Sequence, residues 1–235
     1  MNYRVRADGR PLALGEVKTT VKELVEGTCV RHHVLRNLLK MYDKRGSVLR
    51  IESMLLDLEH FKVFRTKEGD EGGPLSYRRL RKGVADLHRR AEVSEKINDR
   101  YVASLATVEE KRTLAEVTKD LGQRVQWKGR TSRALNPLSA EDAALFEAIS
   151  QGGFMIDGFS NRQIRAILFP KPADAATQKR LSGKVTRLFR LLRAHGLIAK
   201  IPKSHRYQVT EKGRTSLSVI LAARQANTKV LLQAA

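Results

Sequence analysis

The period of apolar and polar positions changes along this chain, and the changes suggest its elements. Residues 30–43 alternate loosely, as a half-buried strand does. Gly46 then separates them from VLRIESML (48–55) at hairpin spacing, which predicts a β-hairpin. FKVFR (61–65) predicts a further short strand, and the turn-rich EGDEGGP (68–74) predicts the end of this region. From Tyr77 the period becomes helical. Tyr77, Leu80, Val84, Leu87 and Ala91 fall on one stripe, continued by Ile97, Tyr101, Leu105 and Val108 and then by Leu114, Val117 and Leu121. VQWKGRTSRALNP (125–137) is basic, contains a glycine and ends on Asn-Pro, which predicts a linker.

The last hundred residues carry sharper signals. Ser139 with Asp142 three positions on predicts a helix start, with Leu145, Phe146 and Ile149 inward and a stop at Gly152-Gly153. FMIDGF (154–159) reads as a short strand. Ser160-Asn-Arg-Gln163 is a capping-box pattern that opens a second helix with Ile164, Ile167 and Leu168 inward, ended by Pro170 and Pro172. A third helix starts between Asp174 and Thr177 and runs to His195. At 100° per residue, Leu181, Val185, Leu188 and Leu192 share a narrow sector with Phe189 at its edge, while Lys179, Gly183, Thr186, Arg187 and Arg190 gather opposite. Gly196 suits the left-handed position after a helix. LIAKI and RYQV can then pair around the basic tip Pro202-Lys203-Ser204-His205, and Thr210 caps a last helix with Leu217, Ile220 and Leu221 inward.

The fold class expected is α+β: a small N-terminal β-hairpin or sheet with helices, followed by a mostly helical domain. The intervals are a β-rich region over 1–75, a helical region packing on it over 76–124, a basic linker over 125–138 and a C-terminal domain over 139–235. So few N-terminal strands leave one sheet face poorly covered, which suggests a homodimer or a partner chain that completes the sheet.

Charge narrows the partners. The chain has 235 residues with 45 Lys and Arg against 25 Asp and Glu, a net charge of +20. Such an excess attracts a polyanion, and nucleic acid is the first candidate. Residues 136–235 carry 16 Lys and Arg against 6 Asp and Glu, a higher density of net charge than in residues 1–135. No segment approaches a membrane span, and no basic amphipathic helix lacks a better use as core, so no membrane partner is expected. A single cysteine, Cys29, rules out an internal disulfide framework and a cysteine-based zinc site. Together with a start that has no apolar core of signal-peptide length, this predicts a cytoplasmic, nucleoid-associated protein.

Helix, strand, helix, helix, strand, basic hairpin, helix over about 139–225 resembles the winged helix-turn-helix superfamily. HGLI…YQVTEKGR resembles the wing and following helix of MarR-type bacterial regulators. The connection over 170–177 is longer than in typical members. The resemblance implies duplex DNA as partner, with Lys179, Arg180, Gly183, Thr186, Arg187 and Arg190 on the recognition helix and Lys203, Ser204, His205 and Arg206 on the wing. Helix cations can reach base edges, and wing cations phosphates. The role implied is transcriptional regulation, or recognition of DNA in replication or a mobile element.

A second resemblance joins LKMYDKRGSVLRIE (39–52) to the replication initiators of rolling-circle plasmids and filamentous phages. It implies Asp43 and Glu52 as carboxylates beside a divalent metal, with Tyr42, Tyr77 or Tyr101 as nucleophile on a DNA phosphate. Against it, His32 and His33 are adjacent and on a strand would point to opposite faces. The bland alternative is a charged hairpin in which Asp43, Lys44, Arg50 and Glu52 pair across strands, with Tyr101 in the core. The expectation is therefore a non-enzymatic protein without cofactor, a divalent metal entering only with the nicking alternative. RNA binding is the third reading. Trp127 stacks on a base or docks against a domain.

Overall fold

The computed structural model describes residues 17–106, 113–170 and 174–226. Val108, Pro172 and residues 1–16, on which part of the reading above rests, lie outside them. The chain is mixed helix and sheet, in two compact units. Of the described residues, the first takes 17–102, 152–158 and 201–206, and the second takes 103–106, 113–151, 159–170, 174–200 and 207–226.

The first unit is built on an antiparallel sheet of β1 (Val17–Leu24), β2 (Gly27–Val34), β3 (Asn37–Lys44) and β4 (Val48–Met54), in that order. The hairpin expected at Gly46 is β3–β4. The run 30–43 is not one strand, however, because the chain reverses at Leu35 and Arg36, with Leu35 at φ 52°. A leucine in the left-handed region is uncommon, and Leu-Arg carries none of the Asn or Gly chemistry that marks such a turn in a sequence. Strand β1 was not expected either. Its side chains, VKTTVKEL, offer only two valines on the apolar face, Val17 and Val21. Buried Asn37 holds the chain leaving β4: its side-chain oxygen accepts from the Leu56 and Asp57 amides at 3.0 and 2.8 Å.

The helical stripe begins later than its spacing suggested. β5 (Lys62–Arg65) pairs with β6 (Ser76–Arg79), so the turn cluster at 68–74 closes a hairpin, and Tyr77 packs its ring 5.1 Å from that of Phe64. Helix α1 spans Leu87–Ala106. Fully buried Asp86 precedes it and accepts from the Arg81 amide, the Arg81 guanidinium and Arg89 at 2.9 to 3.1 Å. The Arg81 guanidinium holds this carboxyl far below the usual range. Ile97 and Tyr101 of α1 are buried as the stripe required. The Tyr101 hydroxyl meets His32 Nε2 at 3.1 Å, and Thr19 meets His32 Nδ1 at 2.9 Å. Gly152 and Gly153 do more than stop a helix. A Cβ on Gly152 would lie 2.4 Å from the His32 ring, and one on Gly153 2.3 Å from Val34. Only bare backbone passes over the sheet here. FMIDGF is likewise not a strand throughout, since Phe154–Asp157 forms the helical turn α4.

In the second unit, α2 (Leu114–Lys119) leads to β7 (Val125–Trp127) and β8 (Arg130–Ser132). The expected linker is therefore a hairpin anchored by its neighbours. Leu135 is buried and donates its amide to the Leu121 carbonyl, and the Arg133 fork grips Asp142 at 2.8 and 2.6 Å. Next come α3 (Ala140–Ile149), β9 (Phe159–Ser160), α5 (Asn161–Leu168), α6 (Ala175–Ala194), β10 (Ile198–Lys200), β11 (Arg206–Val209) and α7 (Glu211–Gln225). The caps read from the sequence are present: Ser139, Ser160 with its full capping box and Thr210 at N-termini, and Gly196 at φ 74° after α6; the start expected between Asp174 and Thr177 is capped by Asp174. The strands form a sheet in the order β10-β11-β9. Phe159, Phe189 and Tyr207 join sheet to helix, with Phe189 at 5.5 Å from Phe159 and 4.7 Å from Tyr207.

Two predictions follow from this packing. A Cβ at Gly213 would lie 2.1 Å from the Leu197 carbonyl oxygen and 2.8 Å from Val209. Gly213→Ala should lower the thermal midpoint, although alanine favours a helix by about 1 kcal/mol, and a raised midpoint would contradict the docking of α7. Burial, helped by the His33 charge, lowers the His32 pKa from 6.5 to about 4. The unfolded chain takes up a proton that the folded one refuses, so stability present above pH 6.5 is lost as the pH falls toward 4, by up to about 3 kcal/mol. Urea unfolding across that window should show this loss, and His32→Gln should flatten it.

Candidate nucleic-acid interface

Helix α6 has one face for the core and another for solvent. Val185, Leu188, Phe189, Leu191 and Leu192 are buried, whereas Lys179, Arg180, Thr186, Arg187 and Arg190 are exposed and Gly183 is half-buried. The helix contains no Asp or Glu. Its cations therefore have no acidic neighbour on their own element, apart from the capping Asp174. Thr186 has a bracing role. Its hydroxyl donates to the Ser182 carbonyl at 2.9 Å and accepts from Asn161 of α5 at 3.0 Å. Asn161 also donates to the Ser182 carbonyl, and its side-chain oxygen accepts from the Ser182 hydroxyl. Lys184 pairs with Glu141 of α3 at 2.8 Å. The two preceding helices thus fix the rotation of α6 at its surface as well as in its core.

The β7–β8 hairpin brings cations of the stretch read as a basic linker beside α6. Lys128 and Gly129 form its turn with φ 50° and 72°, a two-residue reversal of the kind that suits a hairpin. Lys-Gly in place of Asn-Gly or Asp-Gly is a faint version of the usual signal. Trp127 docks against its own domain: the Arg193 guanidinium of α6 sits 4.9 Å from its ring centroid, and the Lys128 ammonium 5.2 Å. Trp127, Lys128, Arg130, Ser132 and Arg190 line an open cleft of about 200 Å³. Arg190 of the helix and Lys128 and Arg130 of the hairpin thus face one cleft.

Lys203, Ser204 and His205 lie in the turn between β10 and β11. Lys203 and His205 are exposed, while the Ser204 hydroxyl is spent within the turn, donating to the Ile201 carbonyl and accepting the Arg206 amide. Arg206 is a correction. It is 6% exposed, donates to the Asp157 and Gly158 carbonyls at 2.9 and 2.7 Å, and pairs with the Asp157 carboxylate at 2.8 Å. Burial pushes the Asp157 carboxyl up against the pull of Arg206. An arginine so engaged cannot serve as a surface contact. In the sequence it is indistinguishable from its exposed neighbours, because its partner lies 49 residues away.

The residues of the nicking alternative do not converge. Asp43 pairs in register with Leu49, whereas Glu52 pairs with Lys40. The offset between them is odd, so the two carboxylates point to opposite faces of the sheet. Asp43 accepts the Gly46 amide at 3.0 Å. Glu52 pairs with Arg50 and, at 3.7 Å, with Lys40. Tyr42 donates to Glu26 at 3.0 Å, Tyr101 is buried against His32, and Tyr77 belongs to the β5–β6 hairpin. His32 and His33 face opposite ways, as strand parity required. Among the described residues, no group of three His, Cys, Asp or Glu side chains gathers for a metal ion, and no helix is long and apolar enough to cross a membrane.

Compared with known proteins, the chain matches no family model, no curated protein and no solved structure.

Proposed function

We propose that this chain binds duplex DNA in the manner of a winged helix, with α6 of the second unit as the recognition helix. The observation that carries the reading is α6 itself. One face is locked into the core and tied to α5, and the other offers Lys179, Arg180, Arg187 and Arg190 with no acid among them. A major groove admits a helix of this size, and arginine can meet guanine O6 and N7 bidentately. The three helices α3, α5 and α6, the strands β10 and β11 and the closing α7 have the order of that fold. The β7–β8 hairpin contributes Lys128 and Arg130 as phosphate contacts beside the C-terminal half of α6. The duplex serves either transcriptional control or a replication or mobile-element step.

The full chain should bind duplex DNA with an affinity that falls steeply as salt rises. Once a preferred site has been selected from random duplexes, Arg187→Ala should lower the ratio of specific to nonspecific binding, by about 1–3 kcal/mol for a bidentate contact. Lys128→Ala and Arg130→Ala should weaken both kinds of binding alike, each reducing the salt slope by about 0.9. Arg206→Ala should act differently again. It leaves buried Asp157 unpaired, at a cost of about 3–5 kcal/mol in stability, and should lower the thermal midpoint without changing the salt slope of the folded protein. Equal, uniform losses for Arg187→Ala and Lys128→Ala would reduce α6 to a backbone clamp. Structured RNA that outcompetes duplex DNA at matched salt would transfer the surface to an RNA.

A further inference from the structure

The strands β1 to β4 contain six lysines and arginines: Lys18, Lys22, Arg31, Lys40, Lys44 and Arg50. The register places all six on one face. Thr20, Arg31, Lys40 and Glu52 form one cross-strand row; Lys22, Cys29, Tyr42 and Arg50 form the next. Lys18 and Lys44 have the same parity. The other face has no lysine or arginine and holds Val30, His32, Val34, Leu39 and Ile51, against which Tyr101, Gly152 and Gly153 pack. Lys18, Lys22, Lys44 and Arg50 are exposed, Arg31 and Lys40 half-buried. Glu52 is the one strand carboxylate on the cationic face, and it neutralises part of Lys40 and Arg50. Half-buried Tyr42 stands among these cations, its hydroxyl held by Glu26.

We infer that this sheet face binds a single-stranded nucleic acid, independently of the reading of α6. Charge complementarity calls for a polyanion. Shape then selects among polyanions. Four strands at 4.7–4.9 Å spacing make a surface about 14 Å across, too broad for the major groove of a duplex, which admits one helix or a two-stranded ribbon. A flexible single strand can follow the twist of the sheet, laying phosphates on Lys18, Lys22, Lys44 and Arg50 and a base against Tyr42. Open sheets that combine cations with an aromatic ring bind single strands in this way. DNA and RNA present the same phosphates and base faces, and differ at the 2′-hydroxyl.

The test uses the full chain with fluorescently labelled 20-mers of deoxythymidine and of uridine, titrated at several salt concentrations. Binding to either is expected, and a uridine preference would identify contacts to the 2′-hydroxyl. The triple variant Lys18→Ala, Lys22→Ala, Lys44→Ala should bind at least tenfold more weakly, with a salt slope shallower by about two, at about 0.7 per phosphate contact. The Lys→Gln version of the same triple keeps the long polar stems and gives the same readout should the alanines disturb folding. Tyr42→Phe should bind as wild type does, and Tyr42→Leu several-fold more weakly. A variant carrying Arg187→Ala and Arg190→Ala should lose duplex binding but keep the single strand, so failure of one reading is separable from failure of the other. The inference is overturned if neither 20-mer binds, if both triples stay within twofold of wild type, or if the α6 variant alone loses the single strand.

Discussion

The rotational setting of α6 is the constraint on which the candidate interface rests. Leu188, Phe189 and Leu192 are buried, and the Phe189 ring is wedged between Phe159 and Tyr207. A helix turns 100° per residue, so fixing these side chains inward leaves Lys179, Arg187 and Arg190 directed outward. The hydrogen bonds from Asn161 to Ser182 and Thr186 prevent roll at the surface. A helix held in this way fixes where its cationic side chains start, which is the pre-organisation that the proposed recognition role calls for. The hydrophobic core and the charged surface are thus two consequences of one periodicity.

The same logic, with a period of two, operates in the N-terminal sheet. Strand parity separates Asp43 from Glu52 by the thickness of the sheet and collects all six strand lysines and arginines on one side. It therefore removes a shared carboxylate site and creates a cationic surface, both from the spacing of residues along four short strands. Where charges are buried instead, they are matched: Asp86 by Arg81 and Arg89, Asp142 by Arg133, and Asp157 by Arg206. These pairs use arginines for structure, and the net charge overstates what is available for a ligand.

Much of the C-terminal region was legible because its signals are local. Ser160 with Gln163, Thr210 and Gly196 each act within a few residues, and each does what its spacing implies. The N-terminal region was legible only in part. The turn at Leu35-Arg36 has no sequence marker, and β1 has too few apolar residues to stand out without its partner strand. Tyr77 fell on a helical spacing by coincidence and sits in a strand beside Phe64. Of the candidate site, the α6 cations could be read from a helical wheel. The engagement of Arg206 and the packing of Trp127 on Arg193 depend on contacts between residues 49 and 66 positions apart, which no local pattern encodes.

The central claim is that duplex DNA is met by the outward side of α6 and the adjoining hairpin. Backbone amide chemical shifts of the full chain, followed by NMR as a short duplex is added, test it most directly. The account predicts that the largest changes fall on Lys179, Gly183, Arg187 and Arg190 and on Lys128 to Arg130, and that the amides of Leu188 and Leu192 move little. Saturating duplex that leaves α6 unperturbed, or shifts confined to the first unit, would contradict it.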